Sequence, residues 1–177
     1  MIESPLPEHD NHSLARVAQY YSIRLKNPYE AKRLYIDTLK EFLLGALEKD
    51  PSVDQDEVGE LMNETVRANH DLVQIARKFG YPRLADPSKN TLRLLAELPL
   101  PVYLTTSHHK FLEAAIAETN VREPVSEIFY WHAGLKRIES IFQREPDYDP
   151  TKDNCKRPLV YHLFGLDEYR ESLVLTE

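Results

Sequence analysis

The sequence has little cysteine and little glycine, and each scarcity excludes a class of site. Cys155 is the one cysteine among 177 residues, so the chain can form no internal disulfide and no zinc site built from cysteines. The five glycines stand far apart, at Gly45, Gly59, Gly80, Gly134 and Gly165. Neither a GxGxxG turn nor a Walker loop can form, so a nucleotide would have to bind without the usual glycine-rich turn.

Charge and hydropathy exclude two kinds of partner. The chain has 22 lysines and arginines against 29 aspartates and glutamates, and no basic run exceeds two residues. Nucleic-acid binding needs clustered lysine and arginine, so we predict no nucleic-acid partner. No apolar stretch approaches the roughly eighteen residues of a membrane span, and the polar first residues do not match a secretory signal. We therefore expect a cytoplasmic protein without a membrane segment.

The first half of the chain has the periodicity of helices. Apolar residues recur at three- and four-residue steps over residues 13–26, 29–49 and 56–79, with a polar break expected between Asn63 and Asp71. The face predicted to be buried in the second of these helices comprises Ala31, Leu34, Tyr35, Leu39, Phe42, Leu43 and Leu47. Asp86 and Pro87 predict the start of a shorter helix. Its inward side chains are predicted to be Leu92, Leu94, Leu95 and Leu98.

The second half contains short apolar segments that are typical of strands. LPVYLTT predicts a buried strand, and SHHKFLEAAIAE predicts a helix directly after it. Further strands are predicted at VSEIFYWHA, PLVYHLFG and SLVLT. This order of elements predicts an α/β fold with a parallel sheet flanked by helices and a helix-rich N-terminal half. The chain ends directly after the last predicted strand, which we interpret as an excised or truncated piece of a domain.

Ligands of open α/β sheets bind beyond the carboxyl ends of strands, and three predicted strand ends carry polar groups. They are residues 105–109 (TTSHH), Trp131 with His132, and His162 with Gly165. In the first, hydroxyls and imidazoles at a strand-to-helix turn can meet a phosphate or ribose, assisted by helix N-terminal amides. The alternative is that Ser107 only caps the helix and the histidines are exposed.

Other catalytic arrangements have weaker support in the sequence. The histidines that could form a metal site are His108, His109, His132 and His162. They do not have the spacing of a metal motif, so we predict no metal site. Cys155 lies in a charged loop without a base to activate it, and a Ser107-based triad lacks the GxSxG turn.

Three segments resemble the sirtuin-like domain family of prokaryotic proteins. AELPLPVYLTTSHHKFLEAAI resembles the family's strand that ends in TTN and its following helix, KRPLVYHLFG resembles the strand that closes with a His-Gly pair, and ESLVLTE resembles the start of the next strand. The resemblance covers roughly residues 13–177 and is specific over 95–106 and 157–177. It implies a Rossmann-like, NAD-binding fold of the kind that serves as the NAD-consuming effector of anti-phage defence proteins.

The resemblance also assigns residues to the NAD site. It implies nucleotide contacts at Thr105, Thr106, Ser107, His109 and Gly165. Ser107 stands at the family's asparagine position, His109 at its aspartate position and Phe164 at its catalytic histidine position. A phenyl ring cannot accept a proton, so His162, two residues earlier on the same strand face, is the remaining acid–base candidate beside Ser107.

These observations lead to one principal prediction and two alternatives. We expect residues 1–177 to form one sirtuin-like domain that lacks the family's N-terminal glycine-rich strand and its C-terminal end. It would bind NAD or another ADP-ribose-containing nucleotide, with weak or no hydrolysis. The first alternative is a non-catalytic scaffold in which surfaces such as the helix over 29–49 pair with other subunits, as a homo-oligomer or with a fused module. The second is a mis-started or interrupted reading frame.

Overall fold

A computed structural model describes residues 27–80, 90–119 and 121–175. Its helices are α1 (Pro28–Leu47), α2 (Gln55–Met62), α3 (Glu64–Ala68), α4 (Leu72–Lys78), α5 (Thr91–Glu97), α6 (Phe111–Ala117) and α7 (Ile141–Arg144). Its strands are β1 (Val102–Thr105), β2 (Val125–Ile128) and β3 (Leu159–His162). Short 3-10 helices cover Ala133–Arg137, Lys152–Asn154 and Arg170–Ser172. The predicted helix over 13–26 lies outside the described residues.

The three strands form a parallel sheet in the order β1-β3-β2, so β3 is central. His162, the last residue of β3, is aligned with Thr105 of β1 on one side and with Ile128 of β2 on the other. All three strands therefore end at one edge of the sheet. This confirms the predicted α/β class with a parallel sheet flanked by helices.

The predicted strand at SLVLT is wrong for the described residues. Ser172 ends a 3-10 helix, and the residues from Leu173 to Leu175 lie outside the sheet. The reason is a tight reversal at Gly165, after which the chain folds back and Val174 N–H donates to the Phe164 carbonyl. This segment therefore pairs with the turn after β3 instead of extending the sheet.

Local capping explains the helices before the sheet. The Asn27 side chain accepts hydrogen bonds from Tyr29 and Glu30 N–H, and a proline follows it at the first helical position. The break predicted between Asn63 and Asp71 is confirmed, because those two residues are the N-caps of α3 and α4. The buried side chains of these helices form one apolar cluster, comprising Leu44, Leu47, Val58, Leu61, Ile75 and Phe79.

The predicted inner faces of α1 and α5 need correction. Phe42 is 73% exposed, whereas Lys40 is only 3% exposed. In α5 the residues predicted to face inward but found exposed are Leu94, Leu95 and Leu98. Ala96 is buried instead, because α5 packs on α6 through this small side chain together with Leu92. The helix begins at Thr91 with Asn90 as its cap, and the predicted start at residues 86–87 lies outside the described residues.

Arg122 connects the end of α5 with the segments that lead into β1 and β3. Its guanidinium donates to the carbonyls of Ala96, Leu98 and Leu100 at 2.7–2.9 Å, and to that of Cys155 at 3.1 Å. These carbonyls lie at the end of α5, before β1 and before β3. One planar group thus satisfies backbone acceptors from three separate segments and sets where β1 and β3 begin.

Gly165 should be indispensable, because its backbone has φ +84° and an added Cβ would lie 2.2 Å from the Ser172 carbonyl oxygen. We predict that Gly165→Ala lowers the free energy of unfolding by about 3 kcal/mol or more. Gly59→Ala is the matched control, since nothing lies within 4 Å of its Cβ and the position is helical. That variant should gain about 0.5–1 kcal/mol. Urea unfolding measures both, and equal effects would contradict the packing role of Gly165.

Candidate functional site

His162 is the most enclosed polar group at the carboxyl edge of the sheet. Its side chain has no exposed surface. Its Nδ1 lies 2.8 Å from the Ser107 carbonyl oxygen, and its Nε2 lies 2.7 Å from Glu113 Oε1 in α6. The Ser126 hydroxyl of β2 donates to the same carboxylate oxygen at 2.8 Å. Both ring nitrogens are therefore engaged within the protein, and neither faces a ligand.

Hydrogen-bond chemistry restricts the proton arrangement of this pair. A backbone carbonyl only accepts, so the Nδ1 atom of His162 must carry a proton. The contact between Nε2 and Glu113 needs a second proton, held either by the imidazole or by the carboxyl group. The pair is thus an imidazolium with a carboxylate or an imidazole with a carboxylic acid. In both forms the proton is shared internally, which suits a structural link between β3 and α6.

The turn after β1 contains the hydroxyl groups predicted to contact a nucleotide. Thr105 Oγ1 accepts from Ser107 N–H at 3.0 Å, and Ser107 Oγ accepts from His109 N–H at 3.2 Å. Thr106 and Ser107 are exposed. The predicted helix over this segment begins only at Phe111, and no side chain caps it. Ser107 therefore stabilises the turn before the helix and does not cap the helix itself.

The two histidines of this turn, His108 and His109, connect it to other parts of the fold. His109 Nδ1 lies 2.8 Å from Asp167 Oδ2, and both side chains are largely buried. The His108 ring lies 3.3 Å from the Tyr35 hydroxyl of α1, and its carbonyl accepts from Asp167 N–H. Burial lowers the pKa of His108 below its ordinary value of 6.5, and the charge of His109 lowers it further. The turn is thus attached to α1 and to the segment after β3.

The remaining candidate residues lie away from these contacts. Gly165 packs against the Ser172 backbone, as described above. Phe164 is 45% exposed. His132 accepts from Gly134 N–H within its own turn, and its ring packs on Trp131, which is beyond the end of β2. Cys155 is half-buried in a loop with a left-handed backbone.

A cavity of about 450 Å³ opens where the chain leaves β1 and β3. Its wall combines α1, the residues from Ala68 to Gln74, Lys110 before α6, and the residues from Asp167 to Arg170 after β3. None of the residues predicted to hold the nucleotide lines it. His109 reaches the wall only through its bond to Asp167. The adjoining cavity is therefore a candidate site of its own, and the nucleotide contacts at the turn stay a prediction.

Lys40 is the unexpected group on this wall. It is 3% exposed, and its ammonium makes one long hydrogen bond, 3.4 Å to the Arg67 carbonyl. Burial lowers its pKa below 10.5, while the carboxylate of Asp37 raises it. A buried ammonium with a single weak partner is costly unless another anion completes its surroundings.

Sequence reasoning missed the residues that shape the cavity. Lys40 occupies a helical stripe with Ile36 and Leu44, four residues to either side, and a lysine within such a buried stripe is a recognisable signal. Glu113 similarly lies beside Leu112 on the packing side of α6. Asp167 has no local signal, because its role depends on the return of the chain after β3.

Comparisons with known proteins name no relative. The sequence matches no protein-family model, no curated protein and no solved structure. Within the described residues no three His, Cys, Asp or Glu side chains are arranged to hold a metal ion. No helix in that part of the chain is long and apolar enough to cross a membrane. The cavity and the groups around it therefore carry the indications of function.

Loss of the His162 ring should unfold much of the site. We predict that His162→Ala lowers the free energy of unfolding by about 3–5 kcal/mol, because Glu113 is left buried without its main partner. His132→Ala is the matched control and should cost about 1 kcal/mol, since it removes one hydrogen bond in a half-buried turn. Urea unfolding gives both values, and a small loss at His162 would refute the structural role.

Stability should fall at mildly acidic pH because of His108. Its pKa is lowered in the folded state, so the unfolded chain takes up the proton first as the pH drops below about 6.5. The free energy of unfolding then falls with pH until the lowered folded pKa is passed, and below that pH the loss grows no further. We predict that His108→Asn flattens this loss. Unfolding free energies measured from pH 8 to pH 5 test it, and parallel profiles for the two proteins would contradict the assignment.

Proposed function

We propose that this protein binds NAD or another ADP-ribose-containing nucleotide in the cavity at the carboxyl edge of its sheet, and does not hydrolyse it. The cavity is the observation that carries the proposal. Parallel α/β sheets bind ligands at this edge, and a volume of about 450 Å³ is within the usual range for small-molecule sites. The resemblance to sirtuin-like domains supports a Rossmann-like fold and the choice of nucleotide.

The wall offers groups that suit the parts of a nucleotide. Ile36 and Val73 provide apolar surface for a base. Asn69 Nδ2 and Gln74 Oε1 are bonded within the helices, which leaves Asn69 Oδ1 and Gln74 Nε2 to exchange hydrogen bonds with the base edge or with a ribose. Lys40 is among the cationic groups that can face phosphates. The chain thus holds the ligand with side chains from helices where a glycine-rich turn would otherwise act.

The absence of turnover follows from the position of the candidate base. Cleavage of the nicotinamide–ribose bond needs a group that can take a proton near the reacting carbon. His162 is fully buried with both nitrogens engaged, and Phe164 has no basic atom. Ser107 is exposed, but its hydroxyl is bonded to the His109 backbone. Binding without cleavage would suit a nucleotide-sensing domain.

Calorimetry of the whole chain with NAD at millimolar concentration tests this function. We expect saturable heat without sustained heat, and no nicotinamide in the mixture. Sustained heat with nicotinamide release would refute the non-hydrolytic part. An absence of heat with NAD and with ADP-ribose would refute nucleotide binding.

A scaffold that pairs with a second copy of the chain is the other candidate. Its support is the outer side of α1, where Phe42 is 73% exposed and lines an open groove of about 740 Å³. Exposed apolar surface of this kind is typical of protein–protein contacts. A defined dimer by sedimentation, together with no response to nucleotide, would favour this function over the first.

A further inference from the structure

The cavity wall holds three acidic side chains, Asp71, Asp167 and Glu168, and three basic side chains, Lys40, Lys110 and Arg170. Asp167 is bonded to His109, and Glu168 forms an ion pair with Lys110. Asp71 is the N-cap of α4, where the partial positive charge of the helix terminus offsets its carboxylate. Each carboxylate on the wall therefore already has a close partner, which is a histidine ring, an ammonium group or a helix terminus.

Two cations on the same wall have no such match. Neither Lys40 nor Arg170 forms an ion pair with any carboxylate in the described part of the chain. Burial is the largest effect on the pKa of Lys40 and lowers it. The carboxylates of Asp37, Asp167 and Asp71 raise this pKa without forming an ion pair, and the Arg170 guanidinium lowers it. An almost fully buried lysine and an arginine that line the same cavity, neither in ion-pair contact with a carboxylate of the described residues, indicate a place for an anion.

We propose that Lys40 and Arg170 form a phosphate subsite, which would hold the pyrophosphate of the nucleotide. The inference rests on the proposed function and specifies how the ligand is held. A lysine provides a compact point charge and an arginine a planar fork, and both bind phosphate oxygens well. An anion between them would satisfy the remaining Lys40 donors and remove the repulsion between the two side chains.

Thermal unfolding and calorimetry of the whole chain with three probes test the subsite. The probes are inorganic pyrophosphate, ADP-ribose and adenosine. Pyrophosphate and ADP-ribose should each raise the Tm of the wild-type protein. Lys40→Met and Arg170→Gln should each weaken both by about ten- to hundredfold, since each removes one charge-assisted contact. Adenosine should bind the variants and the wild type equally, because it has no phosphate.

Controls separate a binding role from a structural one. Lys136→Met removes an exposed lysine that does not line the cavity, so it should leave every affinity unchanged. Lys40→Met should keep or raise the Tm of the ligand-free protein, because it removes a buried charge. A lower Tm with unchanged affinity would make Lys40 structural and would overturn the inference. Arg170→Gln tests the subsite independently of Lys40→Met, because Arg170 is less buried than Lys40.

The outcomes also distinguish this inference from the proposed function. If Lys40→Met and Arg170→Gln bind ADP-ribose as tightly as the wild type, the subsite is wrong and nucleotide binding stands. If pyrophosphate binds and the variants lose it while no nucleotide binds, the subsite stands for a free phosphate-type anion and the nucleotide function is wrong. If no probe binds the wild-type protein, both are refuted.

Discussion

The imidazole of His162 links every strand of the described sheet. It ends the central strand β3, bonds to the Ser107 carbonyl beyond β1, and bonds to Glu113 in α6. Glu113 in turn accepts a hydrogen bond from Ser126 of β2. Because buried polar groups are costly without partners, a shift of any strand end would leave one of these groups unsatisfied. The ring therefore fixes how the carboxyl ends of the strands lie together.

This arrangement places the groups around the cavity. With Ser107 held in position, His108 and His109 can contact the segment after β3 through the backbone and side chain of Asp167. The same turn reaches α1 through Tyr35, and α1 also contacts that segment where Lys32 donates to the Glu171 carbonyl. The cavity is thus bounded by segments that are distant in sequence. Its shape depends on the buried polar contacts that join these segments.

The histidine that the sirtuin-like resemblance implies for catalysis has a structural role in the folded protein. The resemblance implies an acid–base role for His162 because it lies two residues before Phe164, on the same face of the strand. In the folded protein that position is the meeting point of the three strands and α6, where no solvent reaches. The unusual charged group is instead Lys40, whose ammonium is buried beside the cavity.

The sequence alone determined the local structure to a large extent. Helix caps such as Asn63 and Asp71 and the apolar segments of β1 and β3 predict their elements well, because capping and periodicity act over a few residues. Only the tertiary structure decided which of the buried polar groups contact one another and which reach the cavity. His162 meets Glu113 across 49 residues of sequence, and Lys40 meets the cavity only after the chain has returned from β3. Such contacts depend on strand order and on the reversal at Gly165, which no local pattern encodes.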